Sequence, residues 1–180
     1  MRQYRYVNNL SLTNRLMRLL WGIVYQLFFR PTPRWALHSW RCLILRGFRA
    51  QIGEGCRIDP TARIWAPWNL VVGDYVAIAE GVDLYNVAPI HIGSKVAVSQ
   101  HSFLCTASHD ITSLSRPLVH SPISIANHAW IAAGVMLHPG VVVEEGVVVA
   151  ARAVLRGRAQ AWSIWAGNPA RQVGERKIAS

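Results

Sequence analysis

The first 50 residues of this 180-residue chain contain no aspartate and no glutamate. They contain nine arginines, whereas the remaining residues are nearly balanced, with ten basic and nine acidic side chains. The formal net charge of +10 therefore belongs mainly to the N-terminal segment, and it implies an anionic partner for that segment more than for the whole chain. No nucleic-acid-binding motif accompanies the arginines, so we do not expect a nucleic-acid partner.

Cysteine is scarce, since Cys42, Cys56 and Cys105 stand far apart and form no Cys-x-x-Cys pair. This spacing argues against a disulfide framework and against a cysteine zinc site, and it suits a reducing cytoplasm. Long apolar runs are also lacking: the stretch from Leu19 to Phe29 is shorter than the roughly 20 residues of a membrane span. No small-residue cleavage site follows it. We therefore expect a cytoplasmic protein that is either free or peripheral at the inner face of the plasma membrane.

An aliphatic residue returns every six positions through most of the chain, in the triplets Ile52, Ile58, Ile64; Val72, Ile78, Leu84; Ile92, Val98, Leu104; Ile125, Ile131, Leu137; and Val143, Val149, Leu155. A small or aliphatic residue also stands two places before nearly every member of the series. Six-residue units are too short for βαβ units and too closely spaced for a β-sandwich, whose strands recur every 8 to 12 residues. The repeat predicts a mainly β fold, a parallel β-helix of about five coils.

The irregular steps in the series all follow the third member of a triplet, so loops are expected to leave from one edge of a triangular prism. We divide the chain into a basic amphipathic helical segment at 1–49, a β-helix at 50–161 with a loop at 106–124, and a short C-terminal cap at 162–180. The two outer parts would cover the ends of the β-helix, whose terminal strands would otherwise be exposed edges.

The N-terminal segment predicts an amphipathic helix, with Ser11 or Thr13 as its N-cap and an apolar face formed by Leu12, Leu16, Leu19, Leu20, Ile23 and Leu27. Pro31 and Pro33 would end it, and a second short helix would follow from Trp35 to Ile44. Arginine and tryptophan border these apolar faces, which is typical of helices lying in the headgroup region of an anionic bilayer. Helices that cap the prism and pack on neighbouring chains explain the pattern equally well.

Three blocks in order support a family resemblance: Thr106 to Asp110 with an excursion to Pro122, then Ala129-Trp130-Ile131, then Ala166 to Arg171. With the repeat, which covers residues 50–173, they resemble the sugar O-acetyltransferases among the left-handed β-helix (hexapeptide-repeat) acyltransferases. The segments Ile64 to Asn69 and Asp83 to Ile90 are most similar to acetyltransferases of colanic acid and related exopolysaccharide gene clusters. The resemblance implies a homotrimer that transfers an acetyl group from acetyl-CoA to a hydroxyl of a sugar or oligosaccharide, free or lipid-linked, without a metal.

Acetyl transfer to a hydroxyl requires a base, and histidine suits that task near neutral pH. His109 stands where the third coil breaks into the long loop, and the resemblance assigns it the role of general base. Asp110 is the candidate that orients its ring. The other reading of His109 is a capping residue at a strand end. Because no serine or cysteine stands in a nucleophile-plus-base arrangement, we expect direct attack by the acceptor hydroxyl.

The resemblance also assigns substrate contacts. Tyr85 and Asn86 correspond to the acceptor pocket, although an asparagine at a prism corner also suits left-handed backbone geometry. The donor would lie against Trp130, Ala133, Gly134, Ala150, Ala151 and Arg152, with Arg171 facing a CoA phosphate. Two other functions remain open. One is a γ-carbonic anhydrase-like zinc enzyme that uses His101, His109 and His128, and the other is a non-catalytic β-helix scaffold.

Overall fold

The computed structural model describes residues 11–178. Its N-terminal part is helical: helix α1 (Leu12–Val24) continues into a π-helical turn (Tyr25–Phe29), and helix α2 (His38–Gly47) follows. Ser11 caps α1, because its hydroxyl accepts a hydrogen bond from the Asn14 N–H at 3.2 Å. Both helices predicted from the sequence are present, but α2 begins at His38 and not at Trp35, because Leu37 before it has left-handed backbone geometry with a φ of 58°. No helix within residues 11–178 is long and apolar enough to cross a membrane.

Short strands follow in groups of three, one group to a coil. The first three coils contain β1 (Gln51–Ile52), β2 (Arg57–Ile58), β3 (Arg63–Ile64), β4 (Leu70–Val72), β5 (Ala77–Ile78), β6 (Asp83–Tyr85), β7 (Ile90–Ile92), β8 (Ala97–Val98) and β9 (Phe103–Cys105). The excursion contains β10 (Ala107–His109) and β11 (Leu118–His120). The rest of the chain contains β12 (Ile123–Ile125), β13 (Trp130–Ile131), β14 (Met136–Leu137), β15 (Val142–Val143), β16 (Val148–Val149), β17 (Val154–Leu155), β18 (Arg158–Ala159), β19 (Ser163–Gly167) and β20 (Ala170–Glu175).

Successive coils stack their strands in parallel and build three sheets. Sheet A has the order β1-β4-β7-β12-β15-β18, sheet B the order β2-β5-β8-β13-β16-β19-β20, and sheet C the order β17-β14-β9-β6-β3. The result is the predicted parallel β-helix, with five complete coils and a sixth that begins with β18 and β19. The C-terminal segment closes this end with β20, which returns antiparallel along β19.

The six-residue aliphatic series forms the core of the prism. All fifteen residues of the series are buried, from Ile52 at 8% exposure to Ile58, Ile131 and Leu155 at 0%. The small residues two places earlier, such as Ala62, Ser102 and Ala153, are buried as well. In each coil, therefore, every aliphatic residue of the series and the residue two places before it point into the prism, as the sequence predicts. The sixth coil was not predicted, because its inward residue Ala159 is small and stands four residues after Leu155, out of step with the six-residue series.

The N-terminal helices close the first coil through aromatic residues and one arginine. Trp21 and Phe29 are buried, and Trp21 Nε1 donates a hydrogen bond to the Ile64 carbonyl at 2.7 Å. Arg41 of α2 is wholly buried, and its Nε donates to the Ile58 carbonyl at 2.6 Å. The leucine-rich face of α1 that the sequence singles out points away from the prism, since Leu16 is 67% exposed. The helices therefore cap the prism through their aromatic face, and the leucine-rich face does not contact the prism.

Candidate active site

The long excursion after the third coil is an antiparallel hairpin. Strands β10 and β11 pair over three residues, with His109 opposite Leu118 at the loop end. Thr106 fixes the base of the hairpin, because its backbone N–H and its hydroxyl both donate to the Tyr85 carbonyl, at 3.1 and 2.9 Å. The Ser121 N–H in turn donates to the Thr106 carbonyl at 2.9 Å. The segment predicted as a loop at 106–124 therefore contains a short antiparallel hairpin, and it projects from the edge between sheets C and A.

His109 is exposed at the end of β10, and one of its ring nitrogens has a fixed partner. The Nδ1 atom lies 2.7 Å from the carbonyl oxygen of Arg116. A carbonyl oxygen can only accept a hydrogen bond, so the hydrogen of the neutral ring must reside on Nδ1. The Nε2 atom is then left with its lone pair, in the form that can take a proton from a substrate. Nε2 of the neutral ring is therefore free to accept a proton.

Asp110 does not orient this ring, contrary to the sequence-based prediction. Its Oδ1 accepts hydrogen bonds from the backbone N–H of Thr112 at 2.9 Å and from the Thr112 hydroxyl at 2.6 Å. These two hydrogen bonds also hold the pKa of the Asp110 carboxyl below its usual range. The carboxylate therefore stabilises the loop of the hairpin, and the partner of His109 is the Arg116 carbonyl, a backbone group that no sequence motif reveals.

Four of the residues predicted to bind the donor lie together at the edge between sheets B and C. The Arg152 N–H donates to the Ala133 carbonyl at 2.9 Å, so coils 4 and 5 stack at this edge. Gly134 has a φ of +67°, and a Cβ at this position would lie 3.4 Å from Cγ of Arg152. The arginine stem therefore lies over the glycine. Trp130 stands beside them on the outer face of sheet B, half-exposed, with its Nε1 donating to Ser99 Oγ at 3.0 Å.

The fifth and sixth coils and β20 bring the remaining residues predicted to bind the donor to the same edge. The Ala150 N–H donates to the Trp165 carbonyl at 2.8 Å, and Ala151 is exposed beside it. Arg171 on β20 pairs with Ala166 on β19, and its side chain is exposed. Small residues in successive layers thus leave the backbone of this edge open, with Arg152 and Arg171 at its C-terminal end. His109 lies at the other edge of sheet C, so one chain does not place the base beside these residues.

Asn86 does not line any open surface of the chain. Its side chain is wholly buried, with Nδ2 donating to the Ala66 carbonyl at 2.6 Å and Oδ1 accepting from the Ala66 N–H at 2.9 Å. Its backbone does not adopt the left-handed geometry considered from the sequence. Asn86 therefore joins the first two coils at the edge between sheets C and A, and the prediction that it contacts the acceptor is replaced by a structural role.

Tyr85 lines a cavity of about 300 Å³ between α1 and the outer face of sheet C. The other lining side chains include Trp65, Arg63 and Asp83 of the prism and Trp21, Tyr25 and Gln26 of α1 and the π-helical turn. Arg63 and Asp83 form an ion pair at 2.7 Å. Burial raises the pKa of the Asp83 carboxyl, although the Arg63 charge opposes the shift. The sequence did not reveal this cavity, because nothing in it fixes where α1 packs.

Aromatic rings line one wall of the cavity. The rings of Trp65 and Tyr85 meet edge to face with their centroids 5.8 Å apart, and the guanidinium of Arg18 lies 3.9 Å from the Trp65 ring centroid. A larger and shallower hollow of about 650 Å³ lies on the outer face of sheet A, where Arg46, His91 and backbone line it. No predicted site residue borders that hollow, so the cavity beside Tyr85 is the better candidate for a substrate site.

The histidines considered for zinc occupy three different edges of the prism. His101 and His128 have φ values of +59° and +61° at the corners after sheets B and A, and His109 lies after sheet C. Within residues 11–178, no three histidine, cysteine, aspartate or glutamate side chains are grouped to hold a metal ion.

Comparison with known proteins agrees with this fold. Residues 122–157 match the family described as bacterial transferase hexapeptide (six repeats). The putative colanic acid biosynthesis acetyltransferase WcaF of Escherichia coli K12 is 37% identical over 163 residues, which is 91% of this chain and 89% of that protein. Nodulation protein L of Rhizobium leguminosarum is 34% identical over 135 residues, covering 73% of this chain and 70% of the relative.

Two solved structures share the fold. A hexapeptide-repeat acetyltransferase from Vibrio cholerae in complex with acetyl-CoA has a TM-score of 0.86 at 23% identity, covering 97% of this chain and 94% of its own. A maltose O-acetyltransferase from Clostridium difficile has a TM-score of 0.80 at 24% identity, covering 93% and 90%. The β-helix is therefore of the left-handed type predicted from the sequence. On the likeness to WcaF, the chain is an acetyltransferase that belongs to the hexapeptide-repeat family.

Proposed function

We propose that the protein transfers an acetyl group from acetyl-CoA to a sugar hydroxyl during the synthesis of an exopolysaccharide. The likeness to WcaF, whose name places it in colanic acid biosynthesis, supports the sugar pathway. The Vibrio cholerae acetyltransferase with acetyl-CoA and the maltose O-acetyltransferase support the donor and the hydroxyl acceptor. The observation that carries the proposal is the hydrogen bond from His109 Nδ1 to the Arg116 carbonyl, because it leaves Nε2 free to act as a base.

In the proposed reaction, Nε2 of His109 removes the proton of the acceptor hydroxyl while its oxygen attacks the thioester carbonyl carbon. The carbon–sulfur bond then breaks, and the CoA thiolate takes the same proton from the imidazolium, so that an acetyl ester and CoA thiol leave. Positive charge on the ring is stabilised by the Arg116 carbonyl, whose oxygen faces Nδ1 at 2.7 Å. No step requires a covalent acyl-enzyme.

The donor is proposed to lie along the edge between sheets B and C. Ala133 and Ala151 leave room there for the slender pantetheine arm against the backbone, beside the Arg152 stem that lies over Gly134, and the half-exposed ring of Trp130 borders it. Arg152 and Arg171 are exposed at the C-terminal end of this edge, where their guanidinium groups suit the phosphates of CoA.

The acceptor is proposed to enter the cavity beside Tyr85. Sugars present apolar ring faces and many hydroxyls, and the cavity offers both kinds of partner. The rings of Trp65 and Tyr85 supply flat apolar surface, while the Asp83 carboxylate and the Arg63 guanidinium supply an acceptor and donors of hydrogen bonds.

A homotrimer is proposed because the base and the donor residues lie on opposite edges of sheet C. A closed cyclic assembly can place the hairpin of one chain against the donor edge of the next. The hairpin loop carries Ile111 and Leu114 at 90% and 80% exposure, and a neighbouring chain would bury them.

The donor claim is tested first, by calorimetric titration of acetyl-CoA into the purified full chain. Binding at about one site per chain supports the proposal, because a symmetric trimer has one equivalent site for each chain. Absence of binding at millimolar acetyl-CoA would contradict it.

The role of His109 is tested by following release of the CoA thiol with a panel of sugar acceptors. His109→Ala should lower kcat by about 100-fold or more, the contribution expected of a general base. His120→Ala is the matched control, because His120 is exposed on the partner strand of the same hairpin. Equal activity of the two variants would make the proposed base wrong.

A mixing experiment tests whether neighbouring chains share the site. His109→Ala removes the base, and Ala151→Trp fills the donor edge, so each variant alone should be inactive. Chains co-expressed in equal amounts should regain about a quarter of the wild-type activity, since random mixing in a cyclic trimer leaves that share of sites intact. No recovery in mixed trimers would mean that each chain supplies its own base and donor edge.

A further inference from the structure

Helix α1 has two apolar faces, and only one of them packs on the prism. The packed face consists of the aromatic residues Trp21, Tyr25 and Phe29, which contact one another and the first coil. The opposite face, which we call the aliphatic stripe, consists of Leu12, Leu16, Leu19, Leu20, Ile23 and Leu27 and is 50% to 74% exposed at every position. This stripe runs along the full length of α1 and into the π-helical turn.

The exposed apolar surface continues beyond the stripe. Phe28 next to it is 52% exposed, and Trp40 of α2 adjoins it, because Trp40 Nε1 donates to the Phe28 carbonyl at 3.0 Å. Leu43, one turn after Trp40, is 58% exposed, and Trp35 before α2 is 85% exposed. A continuous apolar surface of this kind on a water-soluble domain marks a binding surface.

The N-terminal segment contributes only positive charge to this surface, although Arg34 forms ion pairs with Asp59 and Glu80 of the prism, each at 2.9 Å. Residues 1–50 contain nine arginines and no acidic residue. Arg30 is exposed and bonds only to neutral groups among the contacts described, with Gln26 Oε1 at 3.5 Å, and Arg46 donates to the backbone carbonyls of Ile52 and Gly53. Neither interaction neutralises the arginine charge. An occupant of this surface must therefore be apolar at its centre and anionic around it.

We propose that the aliphatic stripe lies on an anionic lipid bilayer, parallel to its plane. The leucines and Ile23 would enter the boundary between headgroups and acyl chains, and the arginines would meet the lipid phosphates. Trp35, at 85% exposure, suits the same depth, since an indole ring is apolar with one polar N–H. The helix lies on the membrane without crossing it, because no helix within residues 11–178 is long enough to span one.

A second copy of this chain is a poorer occupant of the stripe. Two N-terminal segments packed face to face would bring arginines against arginines, with no acidic residue in either segment to separate them. An anionic bilayer instead supplies the missing negative charge. In a cyclic trimer the three stripes lie at the same end of the assembly, so three copies can reach one membrane together.

The bilayer also narrows the class of acceptor, and this part rests on the proposed sugar acetylation. The cavity beside Tyr85 is lined by α1 itself, through Trp21 and Gly22. A stripe seated on the bilayer therefore holds the acceptor cavity next to the lipid surface, where a sugar carried on a lipid phosphate is presented.

The experiment measures co-sedimentation of the purified full chain with vesicles, which needs neither acetyl-CoA nor an acceptor. Vesicles with about one third phosphatidylglycerol should bind the protein at least tenfold more tightly than pure phosphatidylcholine, since each arginine near an anionic surface adds to the affinity. Raising the salt from 0.1 to 0.5 M should weaken that binding. Acetyl transfer to a soluble acceptor is measured in parallel and should not depend on vesicles.

Paired substitutions test the stripe itself. Leu19→Gln with Ile23→Gln removes side chains that are 64% and 50% exposed, and should lower vesicle binding at least tenfold with soluble acetyl transfer unchanged. Val173→Gln with Ile178→Gln is the matched control, at 64% and 63% exposure near the C-terminus, and should bind vesicles like the wild type.

Three results would overturn the bilayer proposal. They are equal binding to neutral and anionic vesicles, unchanged binding of the stripe variant, and a stripe variant whose trimer falls apart by light scattering. The last result would assign the stripe to contact between copies. If the wild-type protein transfers no acetyl group to any acceptor, the proposed function is wrong. The bilayer proposal would still stand, because vesicle binding is measured separately.

Discussion

The carbonyl oxygen of Arg116 faces Nδ1 of His109 at 2.7 Å, at the loop end of the hairpin formed by β10 and β11. Many catalytic histidines are oriented by a carboxylate, which holds the ring in the correct tautomer. In this protein a backbone carbonyl seven residues along the chain holds the His109 ring in one tautomer. The orientation of the ring therefore depends on the path of the loop and not on the chemistry of any one side chain.

The first prediction separates the backbone of Arg116 from its side chain. Arg116 has a φ of +45°, and its N–H donates to the Ser113 carbonyl at 3.0 Å. Proline can neither adopt a positive φ nor donate a backbone hydrogen bond. Arg116→Pro should therefore displace the carbonyl and lower kcat by roughly 100-fold, as small misplacements of catalytic groups do. Arg116→Ala keeps the carbonyl and should retain kcat within about threefold. Similar losses in both variants would mean that the side chain matters.

The second prediction concerns Asp110. Asparagine at this position keeps an oxygen that can accept from both donors of Thr112, so Asp110→Asn should retain activity within about threefold. In enzymes where an aspartate orients the histidine, the same change costs roughly 10⁴-fold in kcat. The measurement is kcat at saturating acetyl-CoA, and a loss near that size would restore Asp110 as the orienting group.

The third prediction concerns the donor. Arg152→Ala and Arg171→Ala should each raise the KM for acetyl-CoA by about 10-fold or more, the effect of losing a hydrogen bond to a charged group. The kcat should not change, because binding of a distant phosphate is equal in the ground state and the transition state. Arg49→Ala, an exposed arginine before the first coil, is the control. Acetyl-dephospho-CoA lacks the 3′-phosphate and so identifies the arginine that binds it. Replacing that arginine by alanine should not raise the KM for acetyl-dephospho-CoA above the value for the wild type.

The fourth prediction is a pH dependence of stability. Arg41 donates from a terminal guanidinium nitrogen to Nδ1 of His38 at 2.7 Å, so this ring nitrogen carries no hydrogen in the folded chain. Burial, followed by the charge of Arg41, lowers the pKa of His38. The unfolded chain then binds the proton more readily, near the ordinary pKa of about 6.5, and the free energy of unfolding should fall as the pH drops below that value.

The slope from His38 is at most about 1.4 kcal/mol per pH unit, the limit for one proton. Urea unfolding at pH 7.5 and 5.5 measures it. His38→Gln keeps a hydrogen-bond acceptor without titrating, so this variant should lose less stability than the wild type across that interval. His138 contributes in the same direction in both proteins, because its pKa is also lowered by burial. An equal loss in the two proteins would remove His38 as a source.

The prism was predictable because its signal repeats. Each coil buries one aliphatic residue and one small residue per strand, so fifteen positions such as Ile78 and Leu137 report the same structure independently. The grouping of residues at the donor edge also followed from the repeat, since residues at equal places in successive coils, three hexapeptides apart, must stack. Ala133 and Arg152 meet for this reason.

The remaining contacts carry no periodic signal. A three- to four-residue spacing shows that α1 is a helix, but both the leucine stripe and the Trp21–Tyr25–Phe29 face obey that spacing, and packing selects the aromatic face. Asn86 was expected to contact the acceptor because of the family resemblance, whereas its amide satisfies both backbone groups of buried Ala66. The partner of His109 is a carbonyl that every residue possesses.

The hairpin that carries His109 is an insertion between strands that pair as if it were absent. Ala97 in coil 3 pairs with Ala77 below it and with Trp130 above it, although the second step along the sequence is longer. The parallel register of the prism is therefore insensitive to what the hairpin contains. Changes in the length or loop residues of the hairpin should therefore leave the stacking of the coils intact, whereas they would move the Arg116 carbonyl that holds the His109 ring.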